Sequence, residues 1–127
     1  MYDPELLVEK LKILLEALER IPRRFTSIAI PDDFYASDAG IDQMDAICMV
    51  LIAAGEEFKN IDRKTEGQLL KRYPGIKWRG VMGVRDVLAH GYFQVNAAQL
   101  FDICENDIPT LIETVKIMIK ESDYDDD

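Results

Sequence analysis

Apolar side chains recur every three or four residues along most of the chain, which is the spacing of one face of an α-helix. The first such stripe consists of Leu7, Leu11, Leu14, Leu18 and Ile21. Asp3 stands before it as an N-cap and Pro22 follows it, so the pattern predicts a helix that ends at Pro22. Leu6, Ile13 and Leu15 widen the stripe, and we therefore expect this helix to contact neighbours on two sides.

The same periodicity continues after a connector at residues 23–37. Ser37 or Asp38 caps a second helix, whose apolar face extends to Phe58. Gly55 lies within that face, and a glycine inside a helix is most easily explained by the close approach of another helix. Asn96 and Asp107 are predicted N-caps of two later helices. The predicted helices after the second span residues 65–72, 76–90, 96–104 and 107–120.

The chain shows neither the alternation of a β-strand nor an internal repeat, so we predict an all-α protein. Helices of this length with short connectors favour an antiparallel bundle of four to five helices. Residues 1–120 are predicted to form a single domain, and the acidic residues 121–127 a disordered tail.

Length and composition are those of an ordinary soluble domain: 127 residues, 48% hydrophobic and 31% charged. No apolar run approaches the roughly 20 residues of a membrane helix. The N-terminus has no basic segment typical of a signal peptide, and we expect a cytoplasmic protein without a membrane partner. Cys48 and Cys104 lie among apolar residues and are predicted to be reduced core thiols. With one histidine in the chain, we expect neither a metal site nor a cofactor.

The formal net charge of −9 argues against a nucleic-acid ligand when it is taken as a whole. The charge is unevenly distributed, however. Residues 59–85 contain eight basic and two acidic residues, a net charge of +6, whereas the remainder contains seven basic and 22 acidic residues, a net charge of −15. The basic segment is either a solvated helical face or an anion-binding site on a molecule that otherwise repels anions.

A chemically suggestive group follows the basic segment directly. The sequence RDVLAHGYF places the chain's one histidine, His90, five residues after Arg85 and two residues before Tyr92. A histidine can take up or return a proton near neutral pH, and an arginine binds phosphate oxygens with its forked donors. A tyrosine offers a hydroxyl and a stacking face. These are the side chains needed to act on a phosphodiester without a metal.

Arg85, His90 and Tyr92 match the R-x4-H-x-Y motif of the HepT-like branch of the HEPN family. The chain also resembles that family at the Gly55-Glu56 pair on the second helix. Further matching positions are Pro74, Ile76 and Trp78 before the motif, Gly83 to Asp86 at its start, and Asp107 to Leu111 after it. The resemblance covers residues 38–120. It departs from the family at Met49, where the family often has an arginine.

The resemblance implies a helical bundle that dimerises through the motif-bearing face. It also implies a metal-independent endoribonuclease, the toxin of a HepT/MntA-type toxin–antitoxin system. The implied antitoxin is a minimal nucleotidyltransferase that adenylylates the motif tyrosine, here Tyr92, and thereby silences the toxin. His90 would act as general base on the RNA 2′-hydroxyl or as acid to the leaving 5′-oxygen, and Arg85 would stabilise the developing charge.

Helix geometry constrains how the motif could work. Residues five apart on a straight helix point roughly 140° away from each other, so Arg85 and His90 would not share a face. Gly91 would allow the helix to end directly after His90. A two-fold dimer would also bring the motif of one chain against that of the other. We therefore predict a homodimer with a composite active site that spans the interface.

Several other residues are candidates for supporting roles. Asp86 orients His90 or Arg85, or is simply an exposed helix acid, and Glu56 is a second supporting candidate. Tyr92 contacts substrate, is the site of modification, or packs against the helix end. Trp78 stacks on a base or packs in the core, and the core interpretation is favoured. The candidate RNA-binding residues are Lys71, Arg72, Tyr73, Lys77 and Arg79.

A second function remains open from the sequence. The chain could be a non-catalytic helical partner, an adaptor or antitoxin, of a minimal nucleotidyltransferase. The intact motif favours the nuclease, whereas the acidic surface and Met49 keep the alternative open. The acidic tail either shields the basic segment or only raises solubility.

Overall fold

The computed structural model describes residues 3–88 and 94–125, with side chains described to residue 122. Helix α1 spans Pro4–Phe25. The predicted cap is confirmed, because the Asp3 carboxylate accepts hydrogen bonds from the main-chain amides of Glu5 and Leu6. These bonds satisfy two amides that have no partner within the helix.

The predicted end of α1 at Pro22 is wrong, since the helix continues for three residues beyond it. Phe25 explains the difference. Its ring packs against those of Phe34 and Phe101, with centroids 6.3 and 5.1 Å away. Aromatic burial of this kind can offset the hydrogen bond that a proline removes from a helix.

Helix α2 spans Asp38–Lys64 and begins after the short 3₁₀ turn Pro31–Phe34. Ser37 is its cap and accepts a hydrogen bond from the amide of Gly40 at 3.0 Å. The helix predicted over residues 65–72 is wrong. Glu66 and Gly67 have φ angles of 55° and 74°, which stop helical propagation, and the chain resumes only a 3₁₀ turn at Leu70–Arg72.

The helix predicted over residues 76–90 is divided in the structure into α3 (Trp78–Met82) and α4, which is described over Val84–Leu88. Gly83 separates them, and its amide donates to the Arg79 carbonyl at 3.0 Å to close α3. Residues 89 and 90, at the end of the predicted helix, lie outside the described residues.

Helix α5 spans Ala97–Asp102 and begins at the predicted cap, where the Asn96 side chain accepts from the amide of Gln99. The predicted cap at Asp107 is wrong, because a π-turn at Ile103–Asp107 joins α5 to α6 (Ile108–Asp125) without a break. Pro109 accounts for the wide turn, since its ring would clash with a carbonyl four residues earlier in a regular α-helix. Residues 121–125 of the predicted tail belong to α6, and the division into domain and tail stays a prediction.

α1 packs against both α2 and α6, and these three helices enclose the core. All five residues of the first apolar stripe are buried. The prediction that Leu6 and Ile13 widen this apolar stripe is wrong, because their side chains are 51% and 66% exposed. Burial raises the pKa of Cys48 to about 11 and that of Cys104 to about 12, so both are protonated core thiols, as predicted.

The prediction of an all-α helical bundle is confirmed, and the described parts of the chain contain no β-strand. Within those parts, no helix combines the length and the apolar character needed to span a membrane.

Candidate active site

Helix α4 presents the first residue of the motif to solvent. Val84 and Leu88 are only 7% and 2% exposed, and they hold one side of this helix against the core. Arg85 and Asp86, which follow Val84, are consequently exposed. The guanidinium of Arg85 forms no ion pair with any carboxylate of the described residues. It is therefore open to an anionic ligand.

The position of α4 depends on how α3 packs on α2. A Cβ atom built on Gly55 would lie 2.6 Å from the carbonyl oxygen of Val81, so the backbone of α3 touches α2 at this point. This confirms the close approach that Gly55 predicted. The Trp78 ring lies on Phe58, with centroids 5.1 Å apart, and its Nε1 donates to the Tyr73 carbonyl. Trp78 thus packs against the core, as the favoured interpretation predicted.

His90 and Tyr92 lie outside the described residues, so their placement relative to Arg85 stays a prediction. The residues on either side of them are described. The amide of Asn96 donates to the Leu88 carbonyl at 3.0 Å, which brings this residue of α4 next to the start of α5.

Tyr35 makes a second connection at this place, and nothing in the sequence indicated it. Its hydroxyl donates to the Val95 carbonyl at 2.9 Å and accepts from the Val95 amide at 3.1 Å. The two residues are 60 positions apart and Tyr35 belongs to no motif, so only the folded chain could show this contact.

The predicted RNA-binding cations precede α4 along the chain, in the 3₁₀ turn before α3 and at α3 itself. The side chains of Lys71, Arg72, Lys77 and Arg79 are all exposed. Tyr73 differs from them, since it is half-buried against the core and its hydroxyl donates to Glu121 at 2.6 Å. The structure thus exposes the four predicted cations, whereas it engages the predicted aromatic residue with α6.

The two acidic candidates differ in their surroundings. Glu56 pairs with Lys59 at 3.6 Å, an exposed contact on the surface of α2. Asp86 is exposed beside Arg85. No three histidine, cysteine or carboxylate side chains of the described residues converge as metal ligands would.

A cavity of about 300 Å³ lies beside the candidate site, between α2, α3, α4 and the start of α6. Its walls are mostly apolar, with Lys77 and Asp107 as the charged residues that line it. A cavity of this character suits an apolar group rather than a phosphate. The exposed surface that carries Arg79 and Arg85 is therefore the better candidate for RNA contact.

Comparison with known protein families matches residues 14–118 to the family described as Ribonuclease HepT-like. A Thermococcus cleftensis protein named "Probable ribonuclease HepT" is 32% identical over 101 residues, which cover 80% of this chain and 84% of that protein. A Methanocaldococcus jannaschii protein provisionally named as an RNase is 30% identical over 82 residues, 65% of this chain and 64% of that protein.

A second M. jannaschii protein, whose name joins a gamma-glutamylcyclotransferase to a provisional RNase, is 28% identical over 110 residues. The chain spans 46% of the length of this second M. jannaschii protein and less than two thirds of the length of the first M. jannaschii protein. No solved structure matches the chain. The family match covers most of the chain and includes the motif at residues 85–92, and this protein therefore belongs to the HepT-like ribonuclease family.

Proposed function

We propose that this protein is the toxin of a HepT/MntA-type toxin–antitoxin pair and cleaves RNA as a metal-independent endoribonuclease. One observation carries the proposal. Arg85 is exposed on α4, forms no ion pair with a described carboxylate, and stands five residues before the chain's one histidine, within the region that matches the ribonuclease family.

The proposed reaction is an internal transfer at phosphorus. His90 takes the proton of the ribose 2′-hydroxyl, and that oxygen bonds to the adjacent phosphorus as the bond to the 5′-oxygen breaks. The leaving oxygen takes up a proton, and the products are a 2′,3′-cyclic phosphate and a 5′-hydroxyl. Arg85 binds the non-bridging oxygens, on which charge increases in the transition state.

A comparison of wild type, Arg85→Ala and His90→Ala in the presence of EDTA tests the nuclease. Wild type should cleave RNA and arrest growth. His90→Ala should lose roughly 10²–10⁴-fold in rate, because it lacks the general base. Lys12→Ala is the matched control, since it removes an exposed cation from α1, far along the chain from the motif. RNA with a deoxyribose at the cleaved position should resist all four proteins.

Two results would contradict this reading. If none of the four proteins cleaves RNA or arrests growth, the proposed nuclease activity is contradicted. If EDTA abolishes RNA cleavage and a divalent cation restores it, the metal-independent mechanism is contradicted. The proposal that the protein is a nuclease would still hold.

The proposed control of the toxin is adenylylation of Tyr92 by a minimal nucleotidyltransferase. An adenylyl group adds an anion next to Arg85 and His90 in the sequence and would compete with RNA for the same cations. Mass spectrometry of the protein coexpressed with this enzyme should find AMP on Tyr92, and Tyr92→Phe should remain unmodified. An inactive complex with unmodified Tyr92 would contradict this control.

A non-catalytic binding role is the second candidate, and the exposure of Met49 favours it. Its side chain is 75% exposed at the position where the resemblance expects an arginine. An exposed thioether suits a protein partner better than a phosphate. Binding to the nucleotidyltransferase by a wild-type protein that cleaves no RNA would establish this role instead.

A further inference from the structure

The cavity between α2, α3, α4 and the start of α6 has an apolar floor and a charged rim. Leu51, Ala54 and Leu111 form the floor and are each 5% exposed. Lys77 and Asp107 form the rim and are exposed. The volume of about 300 Å³ lies at the small end of the ~300–1,000 Å³ range of ligand pockets. The cavity therefore has room for one small ring system with polar groups at its edge.

The two rim charges are opposite in sign but do not pair. Within the described parts of the chain, neither the Lys77 ammonium nor the Asp107 carboxylate forms an ion pair. Asp107 caps no helix either, because α5 continues into α6 through the π-turn. The rim thus offers a hydrogen-bond donor and a hydrogen-bond acceptor to a ligand.

The wall formed by α3 and the turn before it lacks side chains at two positions. Gly75 and Gly80 line the cavity, and a Cβ atom built on either would meet no atom of the described residues within 4 Å. At Gly55, by contrast, the Val81 carbonyl occupies the corresponding space. This wall therefore leaves room for a planar group to lie against the main chain.

Helix α4 connects the cavity to the proposed active site. Val84 and Val87 line the cavity, and the exposed Arg85 lies between them in the sequence. Unpaired RNA bases are commonly recognised by hydrogen bonds to their Watson–Crick edges. A base in the cavity would leave its phosphates outside, near the exposed cations Arg79 and Arg85. The Asp107 carboxylate repels phosphate, so the cavity itself suits the base rather than the RNA backbone.

The donor and the acceptor at the rim match guanine better than the other bases. The Watson–Crick edge of guanine carries a carbonyl oxygen next to two neighbouring N–H donors. A carboxylate can accept from both donors, and an ammonium can donate to the carbonyl oxygen. Adenine, cytosine and uracil each present only one donor group on that edge. Lys77 and Asp107 therefore favour guanine.

We propose that this cavity is a base-binding subsite for one unpaired guanine of the RNA, with Asp107 and Lys77 bound to the edge of the base. The inference rests on the proposed function for RNA as the ligand, and it adds a sequence preference to that function. Binding requires no bond cleavage, so the preference can be measured whether or not the protein cleaves RNA.

Fluorescence anisotropy of short labelled RNAs measures this preference. The probes are an all-uridine oligomer and the same oligomer with one central guanosine, adenosine or cytidine. All carry 2′-O-methyl groups, which prevent cleavage by a 2′-hydroxyl. Wild type should bind the guanosine probe roughly tenfold more tightly than the uridine probe. Asp107→Asn should lose this preference, while its affinity for the uridine probe stays the same or rises, because a charge that repels phosphate is removed.

Glu105→Gln is the matched control for Asp107→Asn. It removes one carboxylate charge from the same π-turn, at an exposed position that does not line the cavity. It should change the affinity for all probes alike and keep the preference for guanosine. Gly80→Leu tests the cavity itself, since a leucine on that wall takes up the space of the base. It should lose the preference, with urea unfolding as the check on its fold.

The outcomes distinguish this inference from the proposed function. A wild type that prefers guanosine but cleaves no RNA would contradict the nuclease and support the subsite. A wild type that cleaves RNA but binds the four probes alike, or binds none of them, would overturn the subsite alone. A preference that survives both Asp107→Asn and Gly80→Leu would overturn the assignment to this cavity. If Gly80→Leu instead keeps the preference and changes the oligomeric state, a second copy of the chain occupies the cavity, which also overturns the subsite.

Discussion

Gly55 is the residue that allows α3 to lie directly on α2. The site for a Cβ atom is occupied by the Val81 carbonyl oxygen at 2.6 Å, and the Val84 side chain is 3.6 Å away. Since α4 follows α3 after one residue, this contact also sets the depth at which Val84 is buried. Arg85 consequently depends on a residue 30 positions earlier for its place on the surface.

Gly55→Ala should lower the free energy of unfolding by about 1–3 kcal/mol, because the added methyl group forces α3 away from α2. Gly80→Ala is the control, since no atom lies within 4 Å of its Cβ position. That variant should raise the free energy of unfolding by about 0.5–1 kcal/mol, as alanine is the better helix former. Urea unfolding followed by circular dichroism measures both. Equal stability of the two variants would contradict the close contact at Gly55.

At the scale of the helices, three predicted N-caps are confirmed, whereas the cap at Asp107 and several helix ends are wrong. Asp3 and Asn96 are the predicted caps of α1 and α5, and Ser37, one of the two candidates Ser37 and Asp38, is the cap of α2. A cap is a local interaction between a side chain and an amide two or three residues later, so neighbouring residues determine it.

The helix ends depend on contacts between distant residues. α1 passes Pro22 because Phe25 reaches aromatic partners on two other elements. The break at Gly83 lets α3 and α4 follow different paths over α2. The π-turn before Pro109 keeps α5 and α6 continuous. In each case a proline or glycine marks a position where interrupting the helix costs little free energy. Tertiary contacts determine whether the interruption occurs.

At the scale of the molecule, the distribution of charge along the chain indicates more about where RNA could bind than the net charge does. All eight basic side chains of residues 59–85 are exposed, whereas 22 of the 24 acidic residues lie elsewhere in the sequence. Binding to RNA backbone strengthens with the number of phosphates neutralised, so an acidic remainder should restrict RNA to the basic segment. A protein partner with a basic surface would be attracted to the rest.

The proposed homodimer makes a prediction that needs the whole assembly. If Arg85 and His90 of one active site come from different chains, a mixed dimer of Arg85→Ala and His90→Ala chains contains one intact site. Coexpression of the two inactive variants should then restore roughly a quarter of wild-type cleavage, since about half of the dimers are mixed. Each variant expressed alone serves as the control. If coexpression restores no activity, both residues of the site come from one chain.

The amino-acid sequence was sufficient to predict the helical class, three of the helix N-caps, the buried stripe of α1 and the motif that indicates the chemistry. These follow from periodicity and from short-range hydrogen bonds, which adjacent residues specify. Tertiary contacts were needed to show where α1 and α3 end, that Leu6 and Ile13 face solvent, and that Tyr35 binds Val95. Those features depend on which distant surfaces meet, and a contact between residues 60 positions apart leaves no trace in the pattern around either of them.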